Sequence, residues 1–148
     1  MNVAVLKQLT ILSLLLGGAL GVVTLIPFIE TISFIGLMFF AATLIIWFMT
    51  KVELINIQSN RESVVTGAII GFLAFLGFCV TYLPLVLILG RGFGLYNRYG
   101  ISLFLGAGSF GVILMLVVFM AILCAVTNAF SGFITYYAMD FIKSMEKK

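Results

Sequence analysis

Histidine is absent from this chain of 148 residues, charged residues make up only 9% of it, and it holds two prolines, two cysteines and one tryptophan. Each shortage excludes something. Without histidine the commonest general base and metal ligand is missing, and no cluster of carboxylates stands inside an apolar run to replace it. Soluble domains carry about 25% charged residues. A chain with five acids and eight bases cannot cover its apolar surface with polar groups in water. Cys79 and Cys124 fall singly inside apolar runs and form no CxxC pair, so they read as small packing residues and say little about redox compartment. The net charge of +3 does not point to nucleic acid, because the basic residues flank apolar runs and no basic stripe interleaves with aromatics.

What the chain has is apolar length. Hydrophobic residues are 64% of the sequence and the mean hydropathy is +1.31. The stretch Val64 to Gly90 contains no charge and exceeds the roughly 20 residues that cross a bilayer. Three similar runs surround it. Continuous runs exclude a transmembrane β-barrel, which needs alternating strands of about ten residues. The expected fold is all-α: one four-transmembrane-helix bundle over residues 1–148, up-down-up-down, with spans near 9–29, 32–50, 64–89 and 108–137.

The connections follow from the polar residues between the runs. Gly17 and Ala19 are spaced like a signal cleavage site, but the run continues through Val22, Val23 and Ile26, so the first helix is expected to be retained. Pro27 and Glu30 mark a tight hairpin, with Ser33 as N-cap of the second helix. The segment Lys51 to Ser63 is the longest polar stretch and reads as an aqueous loop, from which Asn60 caps the third helix. Pro84 predicts a bend between Val80 and Pro84. Gly90 to Gly100, GRGFGLYNRYG, lacks the spacing of a dinucleotide fingerprint and reads as an interfacial loop. The run from Ile101 to Tyr137 would be about 55 Å long as one helix, too long for one span. Its helix is therefore expected to start near Gly108 and end at Tyr136 and Tyr137, with a solvated tail beyond.

Charge orients the chain. Lys7, Lys51, Arg61, Lys143, Lys147 and Lys148 lie on the side of the termini and the middle loop, whereas only Arg91 and Arg98 lie on the other. Positive-inside bias then places both termini in the cytoplasm.

Helices in lipid associate through close packing and interhelical hydrogen bonds, which small residues permit. The sequence carries such faces at Ser13, Gly17, Gly21 and Thr24, at Gly67, Gly71, Ala74, Phe78 and Thr81, and at Ala121, Ala125, Asn128, Gly132 and Thr135. Gly17 with Gly21 and Gly67 with Gly71 are GxxxG pairs. The third and fourth helices are expected to be antiparallel neighbours, which would bring Cys79 and Cys124 to similar depth.

Few polar residues qualify as functional. Glu30 is the only acid on the outer side, a headgroup-level carboxylate whose natural partner is Arg91 or Arg98. Asn128 has the two-sided hydrogen bonding of interhelical glue. No catalytic, cofactor or metal residue is assigned.

Three segments, GGALGVVTLIPF at Gly17 to Phe28, TGAIIGFLAFLGF at Thr66 to Phe78 and CAVTNAFSGFITYY at Cys124 to Tyr137, resemble small bacterial four-helix integral membrane proteins of unknown function. The resemblance implies a fold and no activity; the expected location is the cell membrane, a bacterial inner membrane. Small multidrug transporters differ in carrying a glutamate within the first helix, where this chain has Gly17 to Gly21.

The expected role is that of a non-enzymatic membrane protein, without cofactor, that acts through helix contacts with itself or with a membrane partner. The alternative is an oligomeric channel or transporter subunit with a pathway lined by Thr66, Thr81, Asn128, Ser131 and Thr135. Reporter fusions after Glu30 or Tyr96 are predicted to behave as external; a cytoplasmic signal at either position contradicts the orientation.

Overall fold

A computed structural model describes residues 3–26, 28–55, 57, 59–93 and 110–146. Among the described residues are four helices: α1 Val3–Val23, α2 Glu30–Lys51, α3 Asn60–Phe93 and α4 Phe110–Glu146. All four are long and apolar enough to cross a membrane.

Their ends depart from the sequence expectation in ways that backbone chemistry explains. α1 begins at Val3 rather than 9, and Leu9 is already fully buried. It ends at Val23, six residues before the expected 29. There the Thr24 hydroxyl bonds the Leu20 carbonyl at 2.7 Å, and successive N–H groups of Leu25, Ile26 and Ile29 tighten onto carbonyls three residues back. α2 starts at Glu30, not at 32, and Ser33 is not its cap. The N-cap is Ile29, without a side-chain bond, while Ser33 is buried and its N–H already donates to the Ile29 carbonyl at 2.8 Å. Glu30 instead sits in the first turn, where a carboxylate complements the helix dipole.

The polar connection between α2 and α3 is shorter than expected and partly folded inward. Ile55 is buried, and Leu54 and Ile57 pack against the core. α3 starts at Asn60, and its N-terminus is capped by Ser59, whose hydroxyl accepts the Glu62 N–H at 3.2 Å. The Asn60 side-chain oxygen has no hydrogen-bond partner. α3 continues nine residues beyond Pro84, so Gly90 to Phe93 are helical rather than part of a loop. A glycine in a helix costs about 1 kcal/mol, but in the apolar medium that helices of this length and composition suit, unpaired backbone groups cost several. The helix is the cheaper state. The expected loop from 94 onward and the expected helix start at Gly108 lie outside the described residues. α4 runs on past the tyrosine pair, because its end through Glu146 contains neither glycine nor proline and Met139 still packs on the core.

Residue pairings set the relative directions. Leu14 meets Gly77 and Gly18 meets Thr81, while Gly17 meets Ala74 and Gly21 meets Phe78. Positions on α1 and α3 advance together, so these helices run the same way. Between α3 and α4 the pairs are Ser63 with Gly132, Gly67 with Asn128 and Gly71 with Cys124, which advance in opposite senses. α2 and α4 again advance together, from Leu37 with Cys124 to Thr43 with Ser131. α3 packs most extensively on α4 and then on α1. One expectation fails in this register. Gly71 faces Cys124, and Cys79 lies eight residues further along α3, about 12 Å of helix rise.

Polarity is distributed inside out. Ser13, Thr24, Ser33, Ser63, Thr66, Asn128, Ser131 and Thr135 are buried. Outward stand Leu15, Ile32, Val80, Val126 and Phe130, each more than 60% exposed. An aromatic group at Phe34, Phe75, Phe78 and Tyr82 fills the space between α2 and α3, with Phe78 and Tyr82 stacked at 4.9 Å.

The C-terminus of α2 is a Schellman motif without its usual glycine. The Leu54 N–H reaches the Met49 carbonyl at 2.9 Å, and the Glu53 N–H reaches Thr50 at 3.1 Å. Glu53 holds φ at 58° to permit this, a left-handed conformation that costs an ordinary L-residue about 1–2 kcal/mol. Glu53→Gly is therefore expected to stabilise the fold by about 1 kcal/mol, read as a later midpoint in sodium dodecyl sulfate titration of the micellar protein. An earlier midpoint contradicts the strained cap.

Candidate functional site

The helices meet where glycine removes a side chain. A methyl group added at Gly17 would fall on the Ala74 backbone, one at Gly21 on the Thr81 hydroxyl and the Phe78 carbonyl, and one at Gly77 on the Leu14 backbone. These contacts join α1 to α3. At Gly67 a methyl would strike the Asn128 backbone, at Gly71 the Cys124 carbonyl and the Asn128 Cβ, and at Gly132 the Ser63 carbonyl at 2.6 Å. These contacts join α3 to α4. Gly36 on α2 is different, with nothing within 4 Å of the methyl it lacks.

α2 is held to α4 by polar atoms instead. Asn128 is fully buried, and its Oδ1 accepts the Ala42 N–H at 2.8 Å. Its Nδ2 faces the carbonyls of Met38 at 2.9 Å, Leu37 at 3.1 Å and Cys124 at 3.0 Å. Carbonyls only accept and an N–H only donates, so these partners fix the amide orientation. The Met38 carbonyl and the Ala42 N–H are the two groups that an α-helix pairs with each other. Asn128 thus reads the backbone of α2 from the side, across one helical turn. Thr127 adds a hydroxyl to the same Met38 carbonyl at 2.6 Å, and the Cys124 thiol points at the Leu37 carbonyl at 3.7 Å.

One turn and a half further along, three hydroxyls close a ring. Thr43 lies 2.6 Å from Ser131 and 2.9 Å from Thr135, whose own proton goes to the Ser131 carbonyl at 2.8 Å. One proton arrangement satisfies every contact: Ser131 donates to Thr43, Thr43 to Thr135, and Thr135 to the backbone. Ser63 ties α3 to α4 through the Gly132 carbonyl at 2.7 Å, and Thr81 ties α3 to α1 through Gly18 at 3.1 Å.

The remaining candidates sit as follows. Gly17, Gly21, Gly67, Gly71, Ala74, Ala121 and Gly132 are buried, and Ala125 is half-buried. Glu30 is half-buried at the head of α2. The Arg91 side chain and all of Arg98 lie outside the described residues, and with them the proposed Glu30 pairs. Thr81 faces α1, whereas Asn128, Ser131 and Thr135 face α2, so these pathway candidates are divided between two seams. Four participants escaped the sequence reading, among them Thr127, whose hydroxyl serves α2 as well as its own helix. Gly77 continues the small-residue face three positions after Ala74, a signal that was present. Thr43 follows Ala41 and Ala42, the small cluster in the middle of α2. Ser63 stands at a helix start, where serine ordinarily reads as a cap.

Among the described residues no three His, Cys, Asp or Glu side chains come together, and the chemistry of the seams is hydrogen bonding and close packing. Comparison with family models, with curated proteins and with solved structures finds no match to this chain.

Three substitutions separate these contributions. Asn128→Leu is expected to destabilise by about 1–2 kcal/mol, the range for interhelical hydrogen bonds in membranes. Gly67→Ala forces α3 from α4 and is expected to cost about 1–3 kcal/mol. Gly36→Ala meets open space and is expected to be neutral or stabilising by up to about 1 kcal/mol. Detergent unfolding midpoints of the three variants check the order, and a Gly36→Ala protein weaker than Gly67→Ala contradicts it.

Proposed function

We propose that this chain is a multi-pass integral protein of the cell membrane, non-enzymatic, that acts through helix contacts with itself or with another membrane protein. In this reading the four helices cross a bacterial inner membrane up-down-up-down, with both termini in the cytoplasm. The orientation draws on the six basic residues on one side against two on the other. The location draws on four helices of spanning length and an apolar exterior.

The observation that carries the functional reading is how the interior polar groups are used. Asn128, Ser131, Thr135, Ser63 and Thr81 all bond to neighbouring helices. Backbone meets backbone at Gly17, Gly67, Gly71 and Gly77, so the bundle is locked rather than hollow along these seams. A transport pathway needs polar side chains that converge on one lumen. Here Thr81 belongs to one seam and Asn128, Ser131 and Thr135 to another. What faces outward is aliphatic and aromatic surface, suited to lipid and to other transmembrane helices. The ladder Phe130, Phe133 and Tyr137 on α4, with ring centroids 6.2 and 4.9 Å apart, is part of that surface.

Purification in mild detergent after crosslinking in the native membrane is expected to yield a homo-oligomer or a stoichiometric membrane partner. Proteoliposomes are expected to show no solute flux above empty vesicles. A clean monomer without a partner overturns this reading, and flux of ions or a small solute through the oligomer overturns it in favour of the channel.

A further inference from the structure

The four helices do not end together on the side of the α1–α2 turn. α1 residues pair with α3 residues 57 to 63 positions later, as Gly17 does with Ala74 and Leu14 with Gly77. Val23, the last residue of α1, is therefore level with the neighbourhood of Leu83, and α3 continues to Phe93, about 15 Å further at 1.5 Å per residue. α2 residues pair with α4 residues 86 to 92 positions later. Glu30 is then level with the neighbourhood of Phe119, and α4 begins at Phe110, about 14 Å beyond. Two independent registers give the same step.

Both sides of that step are apolar. α3 carries no charge from Ser63 to Gly90, about 42 Å of helix against a hydrocarbon core of about 30 Å. α4 carries none from Phe110 to Met139. Over the projecting part Leu114, Met115 and Phe119 are 54%, 74% and 56% exposed. Were the membrane surface level with the α1–α2 turn, all of this would stand in water. The turn itself is also apolar, with Ile26, Ile29 and Ile32 exposed and Phe28 94% exposed. Phe28 holds φ at 76°, a left-handed conformation that a bulky residue rarely adopts, and among the described residues it gains almost no cover in return.

We propose that the α1–α2 turn ends inside the leaflet opposite the termini, below the headgroups, with Phe28 seated among lipid acyl chains that fill the step beside α3 and α4. The partner of this corner is hydrocarbon. Glu30 is the one charge at the turn. It sits in the first turn of α2, where the helix dipole offsets part of the cost of its negative charge, and it is half-buried against the protein. The outer ends of α3 and α4 then span the full leaflet, and the bundle accommodates its excess length by tilting toward the short corner.

This inference rests on the membrane-spanning reading, and its test keeps the two apart. Phe28→Trp is made in a Trp47→Phe background, where it is the only tryptophan, and is reconstituted into phosphatidylcholine vesicles with or without acyl-chain bromine. Flotation with the vesicles reports membrane residence. Blue-shifted emission that is largely lost in brominated lipid and little affected by aqueous iodide is the expected result. Red-shifted emission quenched by iodide, in protein that floats, overturns the lipid-seated turn alone. Emission shielded from both quenchers means that protein covers the turn, and also overturns it. Failure to float overturns both readings. Ile32→Trp, 70% exposed and one turn into α2, gives the same reading if Phe28→Trp does not fold.

Discussion

The structure depends on backbone-to-backbone contact at glycine. In the proposed membrane-spanning reading the solvent is lipid, which is as apolar as leucine, so burying leucine between helices gains little, and what remains is dispersion at short range. Gly17, Gly67, Gly71, Gly77 and Gly132 place the main chain of one helix against that of another with no room for a methyl group. α3 carries three of these five positions, and it joins α1 on one side to α4 on the other. Its role as the hub follows from having small residues on two faces.

α2 is attached by a different means. Its glycine faces open space, and its seam with α4 is made of Asn128, Thr127, Thr43, Ser131 and Thr135. A buried amide that reads two adjacent backbone groups fixes register in a way that dispersion cannot, because a shift of one residue would strand donor and acceptor together. The bundle thus combines two devices: glycine sets how close the helices come, and the polar seam sets where along their length they stop.

In the proposed membrane-spanning reading, the unequal helix lengths connect this packing to the lipid. Parallel registers of α1 with α3 and of α2 with α4 fix the height of the α1–α2 turn relative to the longer pair. An apolar turn at that height, with a strained aromatic residue at its tip, is consistent with a surrounding solvent that is hydrocarbon rather than water.

The sequence by itself determined the helical class and the number of apolar runs, because charge scarcity and run length depend on composition alone. It also identified the small-residue faces at Gly17, Gly21, Gly67 and Gly71, since three- and four-residue spacing is a local property of helices. The ends of the helices were not legible. Glycine at 90 and 92 reads locally as loop yet lies within α3, Ser33 lies inside the first turn of α2, and Ser59 rather than Asn60 caps α3. The pairing of faces was not legible either, because a spacing says which residues share a side and not which helix lies opposite. Only the tertiary structure decided that Asn128 addresses the α2 backbone, that Thr81 turns to α1, that Cys79 and Cys124 stand at different levels, and that the first hairpin stops short of the second. Each depends on register between segments distant in the chain, which no local pattern encodes.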